Sequence, residues 1–306
     1  MTRGWLERLR GLLPTSLPTA LLPDALLPSS LRPARATIPD ALWADTLLRL
    51  PFLDYLNDDE RSRLKSLCEA LLQKKPLAGV GGFEVDDDTA VLIAAQACVL
   101  VLNLDLSLYD DMSAILVLPD AFSVRQQHLD EAGVVHEWDE ELAGEAVDQG
   151  GAVVLSWQDL MQPAEPGMSY NLVIHEFAHK IDMGRGAANG FPPFIDGLHS
   201  RAELADWPAA FSEAYDDFCE RVDLLEDSLP PDFDPERDDH AELYEAMAVE
   251  LPLDPYAASD PAEFFAVASE AFFVAPAPLA EDYPEIHRLL AAYYRQDPLS
   301  AANSRR

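Results

Sequence analysis

The sequence predicts a mostly helical α+β protein in which a small sheet lies next to one helix carrying a metal-ligating pattern. Three observations support this. Helical periods fill most of the chain. Two short runs, AILVLP and AVVLSW, break them near its middle. Residues 169–184, SYNLVIHEFAHKIDMG, then set H-E-x-x-H inside a helical period. With 306 residues, 49% of them apolar, the chain can bury a full core.

Residues 1–37 read as a short helix, WLERLRGLL, followed by a flexible proline-rich arm. Prolines there interrupt each apolar run before it reaches signal-peptide or membrane-spanning length. Residues 38–297 read as one domain, with a helical part over 38–112 and a sheet and catalytic part over 113–297, and residues 298–306 as a tail. Within the domain, IPDALWADTLLRLPFL takes a helical period from Pro39, and residues 58–75 form an amphipathic helix that opens on acidic side chains, as suits a helix N-terminus. Gly79, Gly81 and Gly82 predict a turn, because both the G-K-[ST] ending of a phosphate loop and a preceding apolar strand are missing. Asp86 or Asp87 then caps TAVLIAAQACVLVLNL, a central core helix.

Strands are expected over residues 114–119, 134–138 and 152–157, with the last either the candidate for pairing with an extended peptide backbone or an ordinary core strand. After the H-E-x-x-H helix, GRGAANGFPPFIDG reads as a loop on the cleft wall, and residues 201–226 as a long helix. The acidic, proline-rich segment 227–240 reads as a loop or insertion, and it lacks the spacing of a calcium loop.

The balance of 55 acidic against 21 basic residues, net −34, repels phosphate backbones and anionic lipids and argues against direct nucleic-acid or membrane binding. Cys68, Cys98 and Cys219 are odd in number, widely spaced and set among apolar residues. They read as core residues of a soluble, cytoplasmic protein.

Ser169 suits the cap of the H-E-x-x-H helix and Gly184 its stop. His175, His179 and Asp182 share one face, so two imidazoles point the same way one turn apart. Zinc requires that of two ligands on one helix, and Glu176 is placed to reach a water on the open side. A buried amphipathic helix with two hydrogen-bonded histidines is the plainer alternative. The adjoining glutamate and the clean helix ends favour the metal. Farther along, Asp260 and Pro261 start a helix with Glu263 in its first turns, where it either completes a two-histidine, one-carboxylate set or simply favours the helix dipole. Spacing alone leaves Glu270 open as the ligand as well. Asp182 and Glu270 also suit partners of the ligands, with a surface salt bridge or helix cap as the competing role.

IPDALW, the AAQAC helix, VVLSW, HEFAHKID, ANGFPP and DPYAASDPAEFFAVASE together resemble the Mlc titration factor A family of zinc-dependent peptidases over most of residues 38–297. The HEF-x-H and Y…EFFA patterns also resemble the catalytic domain of anthrax lethal factor, a distant gluzincin. Its zinc glutamate opens the EFFA segment, and its catalytic tyrosine stands seven residues earlier. These resemblances imply a zincin-like fold with one zinc ion per chain held by His175, His179 and Glu263. They imply Glu176 as general base toward zinc-activated water and Tyr256 as oxyanion donor in an aminopeptidase-like hydrolysis. They also imply a second function class, a regulatory protein that sequesters a transcriptional repressor of the Mlc type. A metal-stabilised core without chemistry is a third.

Overall fold

The structure, a computed structural model, describes residues 37–119, 122–129, 135–142, 144–146, 151–161, 169–234 and 237–303. The predicted arm over residues 1–37 thus falls almost wholly outside the described residues. Among those residues the fold is mostly helical with two small sheets.

Helices α1 (Asp40–Arg49) and α2 (Asp58–Lys74) open the described chain. Asn57 and Glu60 close a reciprocal capping box at the start of α2, so the acidic first turn has a defined beginning. Strand β1 (Leu77–Gly79) follows, and only then the glycine turn, so the turn is present but the strand before it was not foreseen. Three residues are too few to show a period. Helix α3 (Asp87–Leu100) is capped by Asp86, and its residues 91–100 are all buried. Such a helix needs apolar partners on every side.

Strands β2 (Ile115–Leu118), β3 (Phe122–Leu129), β4 (Val135–Leu142), β5 (Gly144–Ala146) and β6 (Val153–Ser156) come next. The main sheet has the order β1-β2-β6-β5, with its first three strands parallel and β5 antiparallel to β6. Side chains alternate as the strand period requires: Ile115, Val117, Val153 and Leu155 enter the main core, while Leu116, Leu118 and Val154 form a smaller cluster with Ala78 and Val80 on the other face.

Two expectations about strands need correction. The strand at residues 152–157 lies inside the sheet, with β2 on one side and β5 on the other, so its backbone groups are already paired and cannot take up a peptide. The strand expected over 134–138 is part of β4, which pairs with β3 in a separate two-stranded ribbon rather than in the main sheet.

The H-E-x-x-H segment forms α4 (Leu172–Asp182). Farther on, α5 (Trp207–Asp227) starts six residues later than the helical period predicted, after a run of turns. Helix α6 (Asp238–Ala248) begins within the acidic segment expected to be a loop. Helix α7 (Pro261–Val274) opens at Asp260, whose carboxylate accepts from the backbone N–H groups of Ala262 and Glu263. The chain closes with α8 (Pro276–Asp282), α9 (Pro284–Tyr294) and α10 (Pro298–Asn303). Among the described residues no single helix is long and apolar enough to cross a membrane.

Helix α4 packs between α3 and α7, and every one of its residues is buried. Helix α7 brings Phe264, Phe265, Phe272 and Phe273 into the same core, where Trp207, Phe211 and Phe218 of α5 meet Phe264 and Phe265, and Tyr294 of α9 meets Phe272 and Phe273. Each buried phenylalanine contributes about 1.5–3 kcal/mol relative to an exposed one. These rings hold α7 against α4, and so set the distance between the residues the two helices present to each other.

Candidate metal centre

Helix α4 starts at Asn171, not Ser169: the Asn171 side chain accepts from the Ile174 N–H at 2.9 Å. Asn171 does more than cap. Its Nδ2 donates to Gln96 Oε1 of α3 at 2.7 Å, and its backbone N–H donates to Glu270 Oε2 of α7. The signal for this knot was Gln96, a polar side chain in an otherwise apolar buried helix. At the other end, Gly184 does not supply a left-handed stop. A Cβ there would meet Pro193 Cγ at 2.8 Å, so glycine allows the following loop to lie close against the helix.

His175 and His179 stand one turn apart with their Nε2 atoms 3.2 Å apart. Glu263 Oε2, from the first turn of α7, lies 3.0 Å from His175 Nε2 and 3.1 Å from His179 Nε2. Two ring nitrogens and a carboxylate oxygen thus form a nearly equilateral triangle. Ligands at about 2.0–2.1 Å from a tetrahedral ion are about 3.3 Å apart, close to the edges of this triangle. Among the described residues this is the one group of three or more His, Cys, Asp or Glu side chains so placed. Glu270, the alternative by spacing, lies behind the triangle: its Oε1 meets His175 Nδ1 at 2.8 Å. Seven residues along α7 put Glu263 in front of both imidazoles and Glu270 behind that of His175.

The electrostatics point the same way. Burial pulls the His175 imidazole down, but the Glu263 and Glu270 carboxylates outweigh it and hold its pKa well above the ordinary value. Burial raises Glu263, yet His179 and His175 carry it well below the usual carboxylate range. The histidines and the Glu263 carboxylate thus favour each other's charged forms.

Glu176 is also buried, and burial pushes its carboxyl up to about 7 against the pull of the two histidines. Its Oε2 has no hydrogen-bond partner. Tyr256 lies on a single 3₁₀ turn (Pro255–Ala258), which Asp254 steadies by accepting the Tyr256 N–H at 2.9 Å. The Tyr256 ring stacks on His175 with centroids 5.9 Å apart, and burial, then the neighbouring Glu263 carboxylate, raise the phenol pKa. All five residues singled out in the sequence thus meet at one place. Asp182, at the end of α4, accepts from the backbone N–H groups of Asn189 and Gly190, each at 2.6 Å.

Two helices presenting a two-histidine, one-carboxylate set with a buried glutamate beside it define a site of the metallopeptidase class. Residues 29–295 match the model of the glucose-regulated metallo-peptidase M90 family, and the chain belongs to that family. Among its relatives, the Synechocystis sp. protein slr2042 is 34% identical over 252 residues, covering 82% of each chain. Mlc titration factor A of Enterobacter sp. (strain 638) is 34% identical over 265 residues, 86% of this chain and 89% of that one. Mlc titration factor A of Escherichia coli (strain SMS-3-5 / SECEC) is 34% identical over 257 residues, 84% and 86% of the two chains.

Proposed function

We propose that the chain is a zinc-dependent metallopeptidase of gluzincin type that hydrolyses peptide bonds in an aminopeptidase-like manner. The observation that carries this reading is the triangle of His175 Nε2, His179 Nε2 and Glu263 Oε2 beside the Glu176 carboxylate. In this reading His175, His179 and Glu263 would hold one zinc ion, which would supply Lewis acidity and make an attacking water easier to deprotonate near neutral pH. Glu176 takes the proton from the attacking water and later delivers it to the leaving amine. Tyr256 turns its hydroxyl to the oxyanion that develops on the scissile carbonyl. Glu270 keeps the proton of His175 on Nδ1, which leaves the Nε2 lone pair facing the triangle.

The test is zinc content together with hydrolysis of a peptide library with free and blocked amino termini. One zinc per chain, activity lost to a chelator and regained with zinc, and a demand for a free terminus are expected. A zinc-loaded chain that hydrolyses nothing in a broad library would overturn the peptidase reading. Tyr256→Phe removes one hydroxyl and little packing. It should lower kcat roughly ten- to a thousandfold with zinc content unchanged. An unaltered kcat would leave Tyr256 only its stacking on His175.

A second reading follows from the name of the relatives, Mlc titration factor A. In it the chain binds a transcriptional repressor of the Mlc type and acts on gene expression through that protein. A net charge of −34 fits this indirect route, since the chain itself is repelled by DNA. The cytoplasm suits both readings and the reduced thiols of Cys68, Cys98 and Cys219.

A further inference from the structure

A neutral imidazole offers a lone pair at Nε2 only when its proton sits on Nδ1. Both histidines of the triangle turn Nε2 inward, so both require an acceptor for an Nδ1 proton. His175 has one in Glu270. The Nδ1 of His179 is buried and has no hydrogen-bond partner among the described residues. Three residues on, on the same face of α4, stands Asp182, which is 3% exposed. Its Oδ2 holds the two loop N–H groups, while its Oδ1 is buried and, like His179 Nδ1, has no such partner. Burial raises the Asp182 carboxyl, and the loop N–H groups and then His179 pull against it, so the two side chains sense each other.

We infer that Asp182 is a positioning residue for the metal centre: Oδ2 clasps the loop, and Oδ1 receives the Nδ1–H of His179 across one buried water. This rests on the metal-centre reading above. The clasp leaves the carboxylate little freedom. Gly190 has φ +80, and a Cβ on it would meet the Phe211 ring at 2.5 Å and the Pro261 carbonyl oxygen at 2.7 Å. Pro261 lies two residues before Glu263. The one carboxylate therefore ties together the end of α4, the 189–190 loop and, through that loop, the start of α7. Each histidine of the triangle then has its own carboxylate behind it, Glu270 from α7 and Asp182 from its own helix.

Asp182→Asn separates the two roles. The amide oxygen can still accept from the loop, but the amide N–H₂ group then faces His179 Nδ1 and favours the tautomer with its proton on Nε2, in the way of the metal. The zinc Kd, measured by competition with a chromophoric chelator, should rise about 10- to 100-fold. In zinc-loaded wild type, nitrogen-edited NMR should show a downfield, slowly exchanging His179 Nδ1 proton that the variant lacks. Asn189→Ala removes the side-chain oxygen that accepts the Phe191 N–H, which loosens the loop and leaves the Asp182 carboxylate and the start of α7 in place, so it should lower the melting temperature and keep zinc affinity. Equal loss of affinity in Asn189→Ala and Asp182→Asn would assign the effect to the loop and overturn the inference. If Asp182→Asn does not fold, the wild-type spectrum decides, and a His179 Nδ1 proton exchanging as fast as a solvent-exposed imidazole overturns it. A wild type that binds no zinc would overturn the metal centre itself. Unchanged affinity and an unchanged His179 signal in Asp182→Asn would overturn only the role of Asp182.

Discussion

Glu176→Gln should abolish most peptide hydrolysis, lowering kcat by about 10²–10⁴-fold while the chain stays folded and keeps its zinc. The side chain is buried beside the triangle, and its Oε2 has no hydrogen-bond partner, so an amide of the same shape fits without displacing a neighbour. What is lost is the capacity to accept a proton. Comparing wild type and variant for zinc content, peptide-library hydrolysis and affinity for a Mlc-type repressor separates the two proposed functions. Loss of hydrolysis with repressor affinity retained assigns catalysis to Glu176 and binding to another surface. Undiminished hydrolysis by a zinc-loaded variant would sink the assigned mechanism.

Removal of zinc ligands should have the next largest effect. Losing one of three protein ligands should weaken zinc on the order of a thousandfold in Glu263→Ala or His175→Ala. Glu270→Ala should cost less, about 10- to 100-fold, because it removes only the acceptor behind His175. Chelator competition on the three variants gives the order directly. A larger loss in Glu270→Ala than in Glu263→Ala would reverse the two roles.

The parts of the molecule most legible in the sequence were those written in a local pattern. The period around His175 and His179 put both rings on one face, and Asp260 with Pro261 marked the start of α7 and therefore the level of Glu263. Asp86 similarly marked the start of α3. Spacing could not choose between Glu263 and Glu270, because which side of the imidazoles a carboxylate meets depends on how α7 crosses α4. The same limit hid the pairing of the strands. Val153–Ser156 looks alike at an edge or in the middle of a sheet, and its neighbour β5 has only three residues. Helix α6 was masked by the acidic composition that precedes and enters it, and the role of Asn171 by Ser169, an equally good cap two residues earlier. Asp182 was visible as the next residue on the histidine face, but not its hold on Asn189 and Gly190, which the chain forms only by folding back.

Helices α3 and α7 are buried along most of their length and enclose α4 with apolar side chains, so the cradle is assembled before any ion enters it. The metal is then a removable occupant rather than a fastening. A chelator should silence the protein while its circular dichroism stays native and its melting temperature falls only modestly, unlike a zinc finger, which unfolds when stripped. The supply of metal could in that case act as a reversible on–off control, with recovery limited by ion entry and not by refolding.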